Sequence, residues 1–462
     1  MDWQRQHPAY ILYDAKKWIP LLLIPVLRAL FSPRDALSIL MYSLRDTGLA
    51  ILLLIYSVAK WKKARYRLHD GLTMEHGLVL NRRLRLMADD AASIEVERSP
   101  LMWLLHSRRV RINTAGLRSR SDATLFLPSG EARRLLGGGK RRRKGSYAAH
   151  LIPVTFMAAS SSNAALGFLT LAPVVRQLAR VLGESFSDQV YGAVGRVVSL
   201  GLPPLLESVA NLLVIGWLFS FVRTFLRYAG FYAQREGGQL HLVSGLITRR
   251  DVLIDTTKIT TLELRQTLFM RLFRLHTATI TAAGYGREKG ARPVIVPAAR
   301  IREMCTALDL LLPDYPICAS CLRPKRTSLP AYVLPPMGVM AAAAVPIILG
   351  GLWNMAAVIV GIAGAWWFFV RLGGYLHAGF GVGRGAVTLR YARGLAMYEV
   401  HIPLEVADCA ILTRSPWQKR SGTCTVEVRC FGEKRRRHRV RALPYEQAAA
   451  LIERMRDGIK GR

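Results

Sequence analysis

The sequence predicts an integral membrane protein in which α-helical hairpins alternate with small α+β modules, three of each. Three observations predict it. The chain of 462 residues is 51% hydrophobic yet holds 65 Lys and Arg against 31 Asp and Glu, a net charge of +34. Such a balance fits apolar segments in a bilayer alternating with basic parts facing an anionic surface. Several runs approach the 17–25 apolar residues that a spanning helix needs. The hydrophilic stretches between them repeat one another.

Taken in order, the first hairpin occupies residues 1–62. It pairs the short run Trp18 to Phe31, which contains Arg28, with Leu49 to Ala59, which reaches spanning length only when extended back past Arg45 and Asp46 to Leu37. An interfacial or re-entrant placement of these two is the alternative. The second hairpin, 147–232, joins Leu151 to Val174 with Leu205 to Phe221. The third, 326–376, joins a run from Tyr332 to Gly351 with Leu352 to Val370. The turn between those two falls near Gly350-Gly351.

Basic residues flank the runs on one side. Lys60, Lys62, Lys63 and Arg65 follow the second run, Lys140 to Lys144 precede the third, Arg223 and Arg227 end the fourth, and Lys325-Arg326 precede the fifth. Cytoplasmic flanks accumulate Lys and Arg, so both termini and all three hydrophilic regions are expected at the cytoplasmic face of the membrane. The N-terminus has no signal-peptide layout, so no cleavage is expected.

The hydrophilic regions, 63–146, 233–325 and 377–462, read as three copies of one module. Setting Gly77 on Gly245 aligns Ile94-Glu95-Val96 with Leu262-Glu263-Leu264, Met102 with Met270, and Ile112 to Gly116 with Ile280 to Gly284, without a gap. The third copy is degenerate. Its Arg414-Ser415-Pro416 matches Arg98-Ser99-Pro100, and Gly432 matches Gly116. Segments such as Val110 to Thr114 alternate as half-buried strands do. Each copy then runs from a short apolar strand into a proline (Pro128, Pro297, Pro444), which is read as opening a helix. The last helix sets Ala448, Leu451, Ile452 and Met455 on one face.

Ser244-Gly245-Leu246, the run Gln266 to Phe273 and the closing Thr281 to Gly284 resemble the bacterial pleckstrin-homology-like (PH-like) domain of the second type. A spanning hairpin before each module is similar to the YdbS/YdbT-like membrane proteins. The resemblance is strongest in the second module and weakest in the third, where Trp417 to Ser421 is polar. It implies a PH-like β-sandwich or barrel with one C-terminal capping helix, used for binding. It supplies no defined enzymatic activity.

The chemistry-bearing motifs are few. Cys318 and Cys321 have metal or redox spacing, but they sit in a proline-rich linker with no second ligand pair. The cysteines read as reduced thiols, and neither a metal nor a cofactor is expected. Gly381, Gly383 and Gly385 lack the Lys-Ser/Thr of a phosphate loop and read as a loop leaving the membrane. No catalytic triad or carboxylate pair can be assembled, and nothing points to an enzyme. Glu207 and Asn211, one turn apart in a span, are candidate intramembrane polar residues, either at the outer headgroups or in a polar contact or path. Arg82 and Arg83, with their equivalents Arg249 and Arg250, are candidate contacts for a partner or lipid. The basic runs Lys140 to Lys144 and Arg435 to Arg439 combine solvation with attraction to anionic headgroups. They lack the interleaved aromatics of a nucleic-acid binder, so no nucleic acid is expected.

The expected function is a non-enzymatic scaffold in the membrane. Its modules would bind lipid headgroups or a protein partner, another PH-like membrane protein among the candidates, in envelope maintenance or export. A small-solute or lipid transporter using the polar span residues is the alternative.

Overall fold

The computed structural model describes residues 3–15, 36–68, 71–78, 81–87, 90–114, 123–135, 146–161, 204–282, 293–317, 321–350, 355–383, 385–394, 396–430 and 436–460. The chain begins with β1 (Gln4–Arg5), α1 (Ala9–Ala15) and the long α2 (Ala36–Lys63). The first module follows as β2 (Arg65–Leu68), β3 (Leu72–His76), β4 (Arg82–Leu86), β5 (Ala91–Arg98), α3 (Pro100–Leu104), β6 (Ser107–Thr114), β7 (Ala123–Pro128) and α4 (Ser129–Leu135).

A short β8 (Ser146–Ala148) and the helices α5 (Leu151–Ser161) and α6 (Pro204–Tyr228) lead to the second module. It comprises β9 (Tyr232–Glu236), β10 (Gln239–Ser244), β11 (Arg249–Asp255), β12 (Ile259–Thr267), α7 (Leu268–Leu272), β13 (Leu275–Ala282), β14 (Val294–Arg300) and α8 (Ile301–Leu311). The hairpin helices α9 (Leu329–Gly350) and α10 (Met355–His377) precede the third: β15 (Gly379–Val382), β16 (Ala386–Arg393), β17 (Ala396–Pro403), β18 (Ala407–Thr413), α11 (Pro416–Arg420), β19 (Thr423–Cys430), β20 (Arg436–Pro444) and α12 (Tyr445–Lys460).

Each module is therefore three antiparallel strands, three more, and a closing helix, with its own apolar core. The closing helices are amphipathic. Met304, Leu308 and Leu311 of α8 face the second core, and Ala448 and Met455 of α12 face the third. The three copies are in register at the level of single backbone groups. Ser99, Thr267 and Ser415 cap α3, α7 and α11 through their side-chain oxygens, the role for which such hydroxyls are favoured. One turn after each short helix the backbone is left-handed, at His106, Arg274 and Gly422. The third copy has lost the apolar residues of this helix but not its geometry.

The modules do not keep their sheets to themselves. The strand order β7-β6-β5-β11-β10-β9-β8 makes one sheet from modules 1 and 2, and β14-β13-β12-β17-β16-β15 makes another from modules 2 and 3. At the first seam β5 pairs antiparallel with β11, from Arg98↔Arg249 to Ser93↔Ile254. At the second, β12 pairs with β17, from Leu262↔His401 to Thr267↔Ala396. The fourth strand of one module is thus completed by the third strand of the next. Two shorter sheets, β1-β2-β3-β4 and β18-β19-β20, end the series.

Several expectations meet the structure differently. Pro128 and Pro444 are the last residues of their strands rather than first-turn helical residues. Pro297 lies within β14, and the helix starts only at Ile301. Irregular pairing between β13 and β14 accommodates a residue with no N–H there. Gly381 lies within β15, and Gly383 N–H donates to Ala386 C=O at 2.8 Å where β15 passes to β16, so these glycines serve a strand hairpin. Of the apolar runs, Trp18 to Phe31 and most of Leu151 to Val174 lie outside the described residues. Leu37 to Ala59 is helical throughout within α2. Among the described residues one stretch, Arg326–Pro346, meets both the length and the mean hydropathy for crossing a bilayer. The six-span arrangement is therefore not established by the fold alone. In the third hairpin Gly364 lets α10 approach α9 closely, since a Cβ there would lie 2.8 Å from Met340.

The second seam contains a titratable group. His401 on β17 is 1% exposed, with Thr388 Oγ1 2.8 Å from its Nδ1 and a Glu399 oxygen 3.6 Å from its Nε2. Burial lowers its pKa below 6.5 against the opposing pull of Glu399. The unfolded chain therefore takes up this proton first, and the stability contributed by the neutral imidazole falls as pH drops below about 6.5. Thermal unfolding of the full chain in detergent is expected to show a loss of stability between about pH 7.5 and about pH 5.5. That loss should shrink in His401→Gln; an unchanged pH dependence would remove His401 from the account.

Candidate functional site: a basic cavity between the third hairpin and the third module

The strand β20 alternates strictly. His438, Val440 and Ala442 are buried, whereas Arg437, Arg439 and Arg441 are exposed. One face of a strand therefore carries three guanidinium groups. That face meets the module-proximal half of α10 and the tip of the β16–β17 hairpin across a cavity of about 820 Å³. Arg371 and Trp367 contribute from α10, and Arg393 and Tyr391 from β16. The buried carboxyl-bearing Glu263 of module 2 is the acidic member of the lining.

The cavity is held open by its rim. Arg371 donates to the carbonyls of Tyr332 and Ala331 at 3.2 and 2.9 Å and lies over the Tyr332 ring. Tyr332 Oη in turn donates to the Arg441 carbonyl at 3.0 Å. These bonds fix the base of the hairpin to β20. On the opposite wall Tyr391 stacks on Tyr398 with centroids 5.5 Å apart, and its hydroxyl is 3.0 Å from His438 Nδ1. Arg437 lies 3.9 Å from Glu427. Among the described residues, Arg393, Arg439 and Arg441 have no carboxylate within ion-pair distance. Guanidinium groups so placed match the planar, bidentate geometry of a phosphate or carboxylate.

The residues singled out from sequence have diverse positions. Arg249 and Arg250 lie on β11, at the first seam, where Arg250 reaches Glu97 at 4.0 Å and Arg249 reaches Asp251 at 3.5 Å. Glu97 is also bonded to Arg109, with Arg111 3.6 Å away. Burial would raise the Glu97 carboxyl pKa, but Arg109, Arg250 and Arg111 together hold it below the usual carboxylate range. The equivalent Arg82 and Arg83 lie on β4, with Arg83 2.7 Å from Glu75. The repeat thus places one pair of arginines in a seam and the other on an open strand, and neither pair lines the cavity. Glu207 and Asn211 lie on α6, and their side chains, like Lys140 to Lys144, Cys318 and Arg435, fall outside the described residues. Cys424 and Cys430 are buried on β19. No cluster of three metal-ligating side chains occurs among the described residues.

Sequence reasoning found part of the β20 run but read it as a charge cluster ending at Arg439. The alternation Arg437-His438-Arg439-Val440-Arg441 was the signal for a basic strand face. Arg371 and Arg393 carry no local signal, because only the fold brings α10 and β16 to β20.

The bacterial PH domain family matches residues 19–138, 168–311 and 332–459. The chain belongs to this family. It carries the domain three times, in agreement with the three modules and their shared register. It is also similar to the UPF0699 transmembrane protein YdbT of Bacillus subtilis (strain 168), at 22% identity over 315 residues, covering 62% of this chain and 63% of that protein. The match therefore extends over slightly less than two thirds of the relative.

The differing places of Arg250 and Arg82 make a direct prediction. Arg250→Glu sets a carboxylate against Glu97 in a cross-strand pair and should lower stability by about 1 kcal/mol. Arg82→Glu, at the equivalent repeat position, should leave the unfolding temperature unchanged. Equal effects would contradict the seam.

Proposed function

We propose that this protein is a membrane-embedded binding scaffold whose third PH domain holds an anionic phospholipid headgroup. The single observation that carries the reading is the basic cavity where the hairpin joins the module. Its depth relative to a bilayer follows from the hairpin surface. Ile348, Leu349, Ile362 and Phe369 are 65–84% exposed, and large apolar patches of this kind are unstable in water. Trp366 and Trp367 lie between Ile362 and Phe369 on α10, on the module side of Ile362, a placement that suits the enrichment of tryptophan at the membrane interface. Trp367 also lines the cavity. The arginines would therefore stand at headgroup level, where each basic residue contributes on the order of 1 kcal/mol of attraction to an anionic surface.

The helices support a multi-pass arrangement. α2, α6 and α10 are 28, 25 and 23 residues long, and even α10 extends about 34 Å at 1.5 Å per residue. Each has exposed apolar side chains, including Leu52, Leu218 and Phe369. The related protein of Bacillus subtilis is described as transmembrane. In this reading the three pairs of helices enter from the cytoplasmic face of the inner membrane, where the positive flanks keep the modules and both termini. The scaffold would serve envelope maintenance or export by holding its modules on that surface.

The test is lipid analysis of the full chain purified in mild detergent. The parent should retain acidic phospholipid through extensive washing, and Arg439→Glu with Arg441→Glu should retain roughly tenfold less or lower still. A variant that unfolds at the parent temperature and carries the same lipid complement would refute the reading.

A further inference from the structure

The two internal seams obey one rule, and the rule leaves two edges over. At each seam the fourth strand of a module takes the third strand of the next: β5 takes β11, and β12 takes β17. The third strand of module 1, β4, pairs with β3 alone among the described residues, and the fourth strand of module 3, β18, pairs with β19 alone. The sheet orders agree, since β4 and β18 each end a sheet with one neighbour only among the described residues.

Burial shows that β18 lacks the cover its equivalents have. In β5 the residues Ala92, Ser93, Glu95, Val96 and Glu97 are buried, and in β12 Ile259 to Glu263 are buried throughout. In β18 no residue is buried, and Asp408, Cys409 and Thr413 are exposed. Natural sheets guard a permanent edge with Lys, Arg or Pro, with inward charges, or with a bulge. β18 reads Ala-Asp-Cys-Ala-Ile-Leu-Thr, with Asp408 as its one charge, and its irregular register between Ala407 and Cys409 recurs at the equivalent places in β5 and β12, where it does not prevent a seam. Its apolar centre, Ala410 to Leu412, suits a strand awaiting a neighbour.

β4 is different and complementary. Arg82, Arg83 and Arg85 line it, so two β4 edges placed together would oppose like charges, which disfavours that pairing. The β18 edge, whose one charge is the acidic Asp408, carries no such penalty.

We propose that β18 of one copy pairs antiparallel with β4 of a second copy of this chain, continuing the seam rule head to tail between molecules. This goes beyond the headgroup reading and does not depend on it. The occupant is a second copy because the chain itself carries both kinds of edge the rule joins, each without a second neighbour among the described residues. Such contacts are heterologous, giving closed rings or open rows according to the rotation at each step.

The repeat sets the register. Ile94, Leu262 and Ala410 each lie five residues before the equivalent N-caps Ser99, Thr267 and Ser415. Ile94 faces Leu253 and Leu262 faces His401. Leu253 stands eight residues after Gly245, as Arg85 stands eight after Gly77. Ala410 is therefore opposite Arg85, and Ile411 opposite Leu84.

The experiment is disulfide trapping in native membranes, with all chains carrying Cys409→Ser. Chains with Ala410→Cys and chains with Arg85→Cys, differently tagged, are co-expressed and mildly oxidised. A disulfide needs Cα atoms within about 7 Å, so correct pairing should yield a reducible band at twice the chain mass containing both tags. Each single variant expressed alone should not yield it. Ile94→Cys with Leu253→Cys in one chain is the control for the internal seam and should close within the monomer. Loss of the mixed band while this control closes would overturn the proposal. So would self-crosslinking of the Ala410→Cys chain, which would indicate two-fold β18–β18 pairing, or its capture of another protein in place of the Arg85→Cys chain.

Discussion

A strand at the edge of a sheet presents a row of N–H and C=O groups that need partners, and an unguarded edge invites whatever strand can supply them. In this protein that requirement organises the molecule. The modules are too small to close their own sheets, so the first and second, and the second and third, finish each other's. The seams are more than backbone ladders. The first gathers Glu97, Arg109, Arg111 and Arg250 into a buried charge cluster, and the second buries His401 beside Leu262. Each module's orientation is set by its neighbour through these contacts, so the helices α2, α6 and α10 that lead into the modules are also held in a fixed series.

The basic cavity is a consequence of that series. Its walls come from α10, β16 and β20, and Glu263 reaches it from the second module because β12 lies alongside β17. The Tyr332–Arg371 contacts fasten the hairpin to β20, which keeps Arg439 and Arg441 directed at one space. A degenerate third copy is what allows this specialisation. Where modules 1 and 2 use their second sheet to meet the next module, the second sheet of module 3 joins no other strand among the described residues, and its β20 turns a basic face toward the base of the hairpin.

The three-module plan was legible because it is written in local signals: matching glycines, alternating strands, and the Arg-Ser-Pro shared by the first and third copies. That match located Ser415 despite the polar run after it, whereas the fold alone shows that Ser99, Thr267 and Ser415 each cap a short helix. The seams were not legible. Nothing in the alternation of β5 or β12 states which strand lies beside it, and the excess of buried residues in these two strands over β18 becomes visible only with the fold. Reading Arg249 and Arg250 as contacts could not register that Arg250 also faces a buried carboxylate, Glu97, across a seam, while Arg249 stays exposed. The proline rule erred at Pro297 because an irregular strand pairing absorbed the missing N–H that would otherwise have ended the strand.

Hydrogen–deuterium exchange across the whole chain in a membrane mimetic tests the sharing of sheets most directly. Backbone amides of β5, β11, β12 and β17 should exchange as slowly as those of the module interiors, such as β6 and β13, because they are interior strands of continuous sheets. Rapid exchange along β5 and β12, at the rate of an exposed edge, would mean that the modules are separate beads on their hairpins and would contradict the account at its foundation.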